Sequence, residues 1–116
     1  MHEMSITRSV VDLCLEHAQG RRVTQVTMEI GELSGVVPEA VDFCFAACCQ
    51  DTLLEGSRLE IVRIAGTGRC HDCAAEFPRS SLFDPCPACG GYRISQISGD
   101  ELRVRDIDVE EREREG

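Results

Sequence analysis

No tryptophan occurs in these 116 residues, and aromatic side chains make up only 4% of them, so any core must rest on Val, Ile, Leu, Ala, Cys and Met. No stretch approaches the run of about 18 consecutive apolar residues that marks a transmembrane helix, so no membrane span is expected. The start, Met-His-Glu-Met-Ser, lacks the basic n-region and apolar h-region of a secretory signal, which makes the cytoplasm the expected location. No nucleophile–base pairing and no phosphate-cradling glycine motif stands out, so hydrolase and NTPase readings are weak and no enzyme is expected. Positive charge is also short. The formal net charge is −9, and a phosphate backbone would repel such a chain, so nucleic acid is not an expected partner.

Cysteine, by contrast, is abundant, with eight in 116 residues. In a reducing compartment, clustered cysteines bind metal or fill a core more readily than they form disulfides. The length suits one domain, or one domain carrying a small module with little apolar material of its own.

Two helices and three strands are expected. Ile6, Val10, Leu13, Cys14, His17 and Ala18 recur at three- and four-residue steps, which predicts an amphipathic helix over 3–19 with Gly20 at its left-handed end. Val26, Met28 and Ile30 alternate with Thr27 and Glu29, a half-buried strand over 23–31. Pro38 and Glu39 suit the first turn of a second helix running to about Leu54, which would bury some of Val41, Phe43, Cys44, Ala47 and Cys48 before Gly56 ends it. Arg58–Ala65 is a second strand and Glu101–Val109 a third, with a bulge near Arg105–Asp106 to reconcile its two phases of alternation. Between them, residues 66–99 hold four spaced cysteines, three of the four prolines and five of the ten glycines. The strands flanking this insertion would most simply pair as neighbours. The charged tail, 110–116, reads as disordered. The expected fold class is α+β: a small three-stranded sheet with two helices, plus an inserted four-Cys zinc-ribbon-like module. The first part is discontinuous, 1–65 and 100–116, and the module spans 66–99.

The strongest chemical signal is Cys70-His71-Asp72-Cys73, twelve residues, then Cys86-Pro87-Ala88-Cys89-Gly90-Gly91. Two residues between thiolates let one tight turn aim both sulfurs at a single ion, and two such turns close a tetrahedral sulfur shell. That shell suits zinc; a single iron is the alternative, and visible absorption distinguishes them. Four protein ligands leave no open position for water or substrate, so the site reads as structural. His71 reads as a solvent-facing turn residue. Cys14, Cys44, Cys48 and Cys49 read as small buried hydrophobes rather than a second thiol site for a soft metal. His2 could combine with nearby backbone nitrogens into a planar set suited to Ni(II) or Cu(II), with Glu3 adding a carboxylate, or it could simply belong to a frayed terminus.

Several motifs then occur together in order. Met1-His2-Glu3-Met4-Ser5, Ile30-Gly31-Glu32-Leu33-Ser34, the two Cys-x-x-Cys turns, and Ser98-Gly99-Asp100-Glu101-Leu102 followed by Ile107-Asp108-Val109-Glu110 resemble the HypA/HybF family of nickel-delivery proteins in NiFe-hydrogenase maturation. The resemblance covers nearly the whole chain except the tail. It implies a metallochaperone in which His2 binds nickel with backbone nitrogens of the first residues, Glu3 supports it, and Cys70, Cys73, Cys86 and Cys89 hold zinc. It also implies the HypB GTPase and the hydrogenase large-subunit precursor as partners, with urease maturation served by some members, and is compatible with a homodimer. One departure stands out. Some relatives carry an acidic residue just after the Gly-Glu-x-Ser motif, where this chain has Gly35-Val36-Val37-Pro38; Glu32, Glu39 and Asp42 are the nearby carboxylates.

Overall fold

A computed structural model of the chain describes residues 3–110. The elements run α1 (Glu3–Ala18), β1 (Val23–Gly31), α2 (Pro38–Cys49), β2 (Arg58–Ile64), β3 (Thr67–Cys70), β4 (Glu76–Pro78), β5 (Ile94–Ser98) and β6 (Leu102–Val109). They form two three-stranded sheets, ordered β2-β1-β6 and β4-β3-β5. The chain divides into two compact units. One comprises residues 1–28, 37–62 and 103–116, the other 29–36 and 63–102.

The order of the first sheet corrects one expectation: β2 and β6, which flank the insertion, are not neighbours, because β1 lies between them. Burial explains the choice. Val23, Val26, Thr27, Met28, Ile30 and Gly31 are all buried, so β1 is covered on both faces and takes the central position, rather than being the half-buried strand expected from its alternation. The edge strand β6 alternates as expected, and its exposure changes phase where Arg105 and Asp106 are exposed in succession.

In α1, Val10, Val11, Cys14 and Ala18 are buried, whereas Leu13 and His17, expected on the apolar face, are exposed. Thr7 is fully buried instead. Its hydroxyl donates to the Glu3 carbonyl at 2.6 Å, which satisfies the polar group within the helix and lets the methyl face inward. The helix ends at Ala18, with Gln19 (φ 52°) and Gly20 (φ 81°) both left-handed.

α2 departs further from expectation. It stops at Cys49, five residues early, because side chains capture the backbone beyond it. The Thr52 hydroxyl donates to the Cys49 carbonyl and accepts from the Leu54 N–H, and the Asp51 N–H donates to Glu55. The buried face is Val41, Phe45 and Cys49, while Phe43 is 86% exposed. Cys14 and Cys49 are both 1% exposed, and the Cys14 and Cys48 thiols are close enough to Cys49 to act on it electrostatically.

Burial pushes the Cys14 thiol up to about 11; burial, with smaller contributions from Cys48 and Cys14, pushes Cys49 up to about 12. A folded state that holds these protons more tightly than the unfolded chain gains stability while both thiols are neutral. It loses that stability as pH rises past the ordinary thiol range. Thermal denaturation should therefore give a melting temperature that is level from pH 7 to about 9 and falls between about 9 and 12. Replacing both cysteines by alanine should flatten that alkaline fall, whatever it does to stability at neutral pH.

A candidate metal centre in the second unit

The second unit is built on an antiparallel sheet. β3 pairs with β4 in the register Thr67↔Pro78, Gly68↔Phe77 and Arg69↔Glu76, and with β5 through Gly68↔Gln96, Arg69↔Ser95 and Cys70↔Ile94. The β3–β4 connection carries Cys70 at its start and Cys73 within it, and the β4–β5 connection carries Cys86 and Cys89. No alternation announces these three short strands, because glycine, proline and cysteine interrupt it.

Both cysteine turns are closed by the same backbone pattern. In the first, the Ala74 N–H donates to Cys70 and the Cys70 N–H to Ala75; in the second, the Gly90 N–H donates to Cys86 and the Cys86 N–H to Gly91. The residue after the second cysteine is left-handed in each, Ala74 at φ 61° and Gly90 at φ 75°. Glycine takes that conformation freely, whereas alanine there stores strain of about 1–2 kcal/mol.

The ligand atoms of Cys70, Cys73, Cys86 and Cys89 all lie within 4.8 Å of one another. Cys70 Sγ is 3.6 Å from Cys89 Sγ, and Cys73 Sγ is 3.5 Å from Cys86 Sγ. A tetrahedral ion with sulfur at about 2.3 Å needs sulfurs about 3.8 Å apart, which lies between these two separations and the 4.8 Å bound, so the donor set fits zinc with small adjustments. Among the described residues this is the one gathering of three or more His, Cys, Asp or Glu side chains at metal-binding distance.

The surroundings are polar but secured. His71 makes a hydrogen bond through Nε2 to the Ser95 hydroxyl, and the His71 N–H donates to the Arg93 carbonyl at 2.8 Å. Asp72 pairs with Arg93 at 3.3 Å, an exposed contact of small energetic value. The expectation of a turn histidine facing solvent agrees with its exposure; its hydrogen bond to Ser95 was not foreseen.

Before an ion binds, the four thiols differ. Burial opposes ionisation of Cys86, but the backbone N–H groups of Cys89 and Ala88 and the thiols of Cys73 and Cys89 outweigh it and bring Cys86 down to about 7. At Cys89 the Gly91 N–H favours the thiolate, yet neighbouring thiols and burial prevail and raise it to about 12. Cys73 is also raised: its largest single influence, the Ala75 N–H, lowers it, and the Cys86 thiol, burial and Cys70 together overcome that. Metal binding must therefore expel protons from at least Cys73 and Cys89 near neutral pH. Chelator competition between pH 7.5 and 6 should show affinity falling by about a hundredfold or more per pH unit. A slope below tenfold per unit would mean that the cage is not filled by these thiolates.

The chain enters and leaves this unit through the motifs at 30–34 and 98–102. The Gly31 N–H donates to Glu101 at 2.8 Å, Glu32 to Ile64 at 2.9 Å, and Leu33 to Gly99 at 2.6 Å, so the end of β1 is gripped on both sides. A Cβ on Gly31 would sit 2.0 Å from the Gly99 carbonyl oxygen, and only glycine permits that approach. Glu32 Oε2 accepts the Gly66 N–H at 3.3 Å, and Glu101 Oε1 accepts the Gly99 N–H at 2.7 Å, so these carboxylates tie down both ends of the inserted segment.

With this geometry in place, the comparisons with known proteins are specific. A family model described as hydrogenase/urease nickel incorporation, metallochaperone, matches residues 1–109. The chain belongs to the HypA family. HypA from Geotalea uraniireducens is 60% identical over 110 residues, covering 95% of this chain and all of the relative, and HypA from Geobacter metallireducens is 61% identical with the same coverage. The solution structure of the Ni metallochaperone HypA from Helicobacter pylori superposes with a TM-score of 0.65 at 25% identity, covering 94% of this chain and 97% of that one. HypA proteins are nickel-incorporation metallochaperones of hydrogenase maturation, and the two helices and small sheets of this chain match their solved structures along nearly their whole length. No helix of the described residues is long and apolar enough to cross a membrane.

The sequence-predicted residues divide cleanly. The four cysteines converge. Glu3 opens α1 and is half-buried, while His2 and the tail residues 111–116 lie outside the described residues. Of the other cysteines expected in the core, Cys14 and Cys49 are there, but Cys44 and Cys48 remain half-exposed.

Proposed function

We propose that this chain carries Ni(II) at its N-terminus and delivers it to the large-subunit precursor of a NiFe hydrogenase, with the HypB GTPase as partner, in the cytoplasm and without catalysing a reaction. His2 binds the ion together with backbone nitrogens of the first residues, and Glu3 supports it. Cys70, Cys73, Cys86 and Cys89 hold a structural zinc. Residues 1–65 and 100–116 form the nickel-carrying part, and 66–99 form the zinc module.

The observation that carries this reading is the family match running from the first residue, across the Met1-His2-Glu3 start, to residue 109. Three physical points support it. A closed sulfur tetrahedron has no vacant position through which an ion in transit could be loaded and released. α1 begins at Glu3, and the first N–H groups of a helix have no acceptor within it, so the helical ladder does not tie up the nitrogens there. A site at a chain end also releases its ion through cheap local motion, which a carrier needs.

The test is calorimetric titration of zinc-loaded protein with Ni(II). One nickel should bind per chain with no zinc released. It should weaken as pH falls below the ordinary histidine range, about 6.5, because only neutral imidazole binds. If nickel binds only by expelling zinc, the cage is the carrier site and the reading is wrong.

A further inference from the structure

A second sulfur cluster lies outside the four-cysteine cage, where α1 meets α2. We propose that Met4, Cys44 and Cys48 form a binding site for a soft monovalent metal ion, Cu(I), separate from both the thiolate cage and the nickel site.

The geometry begins with Cys48 Sγ, which lies 3.3 Å from Met4 Sδ, so a thiol from the last turn of α2 touches a thioether from the first turn of α1. Cys44 precedes Cys48 by four residues on α2 and therefore shares its helix face, one turn away. Exposure separates these groups from the remaining cysteines. Cys14 and Cys49 are each 1% exposed and serve the core, whereas Cys44 and Cys48 are half-exposed and Met4 is 44% exposed, so an ion can reach all three sulfurs.

Charge and donor type then select the ion. α2 contains Glu39 and Asp42 and no basic residue, and the start of α1 sets Glu3 against Arg8, one turn after Met4, so acidic residues outnumber basic ones on these stretches. Two thiolates and a thioether are soft donors that suit Cu(I), whereas Ni(II) in a planar site and Zn(II) in a structural one take nitrogen or four thiolates more readily. On binding, each coordinating thiol gives up its proton to solvent and no electron is transferred. The three sulfurs sit on two helices already packed together, so little ordering is required.

The experiment uses the full-length, zinc-loaded protein under anaerobic conditions, with Cu(I) supplied as its bicinchoninate complex. Methionine ε-methyl NMR and a colorimetric zinc assay are read together. The first equivalent of Cu(I) should move the Met4 methyl signal, leave that of the fully buried Met28 in place, and release no zinc. Cys48→Ser should abolish the Met4 shift and weaken Cu(I) binding by at least about tenfold, and Cys44→Ser and the size-conserving Met4→Leu should each weaken it, with nickel titration unchanged in all three. Cu(I) that expels zinc while the Met4 signal stays still would overturn the site. So would wild-type Cu(I) affinity in both Cys48→Ser and Met4→Leu.

Discussion

Cys86→Ala will cost the cysteine-bearing part of the second unit, residues 67–98, its metal and its fold, leaving α1 and α2 helical. The argument rests on how little else holds that unit together. Its buried cluster is Cys70, Phe77 and Cys86, with Ala75 and Ile94 packed against it. Two of the three buried members are ligands, so removing the metal removes most of what the core encloses. Such a small apolar cluster cannot offset the conformational entropy of ordering this segment. Structural zinc supplies on the order of 10 kcal/mol in peptides of comparable size, and an alanine at position 86 leaves three thiols that cannot complete the tetrahedron. Amide signals from residues 67–98 should collapse toward random-coil positions while those of Val41 and Phe45, buried on α2, stay dispersed. Retention of one zinc per chain and a native spectrum in this variant would sink the structural role assigned to the cage.

His2→Ala should abolish stoichiometric nickel binding and leave zinc content, melting temperature and the helical signal as they were. The imidazole is the one neutral, strongly coordinating side chain within the first five residues, so its loss leaves a carboxylate, two thioethers, a hydroxyl and backbone nitrogens. None of these selects Ni(II) against water at neutral pH, and the expected loss of affinity is at least about a hundredfold. Isothermal titration with Ni(II) beside wild type measures it. Glu3→Gln should have a smaller effect, because a supporting carboxylate tunes a site that the imidazole anchors. Its backbone carbonyl, which accepts from Thr7, is untouched by the change. Full nickel affinity in His2→Ala would remove the N-terminal carrier from consideration.

How much of this was legible beforehand depended on the kind of signal. The cysteine turns announced themselves because ligand spacing is dictated by local turn geometry, which a few consecutive residues specify. β2 and β6 were legible from their alternation, and α1 from its helical repeat. α2 was legible as a helix but not in its orientation. Its sequence, Pro-Glu-Ala-Val-Asp-Phe-Cys-Phe-Ala-Ala-Cys-Cys, is apolar on nearly every side, so nothing local says that Phe45 faces inward and Phe43 outward. The helix end was hidden for a related reason. Leu53 and Leu54 resume the apolar pattern after Gln50-Asp51-Thr52, and Leu54 is indeed fully buried, but from an irregular segment in which the Leu53 carbonyl accepts the Val23 N–H.

The amino-acid sequence alone determined the two cysteine turns, the placement of the main helices and strands, and the family to which the chain is related, since each is written in short-range spacing or in motifs read in order. Tertiary structure alone decided that β1 sits between β2 and β6, that β3, β4 and β5 form a sheet of their own, and that Met4 meets Cys48 across 44 positions of chain. It also decided which cysteines are core and which are accessible. These outcomes depend on which surfaces bury one another, and burial is a property of distant segments brought together, not of any one segment's pattern.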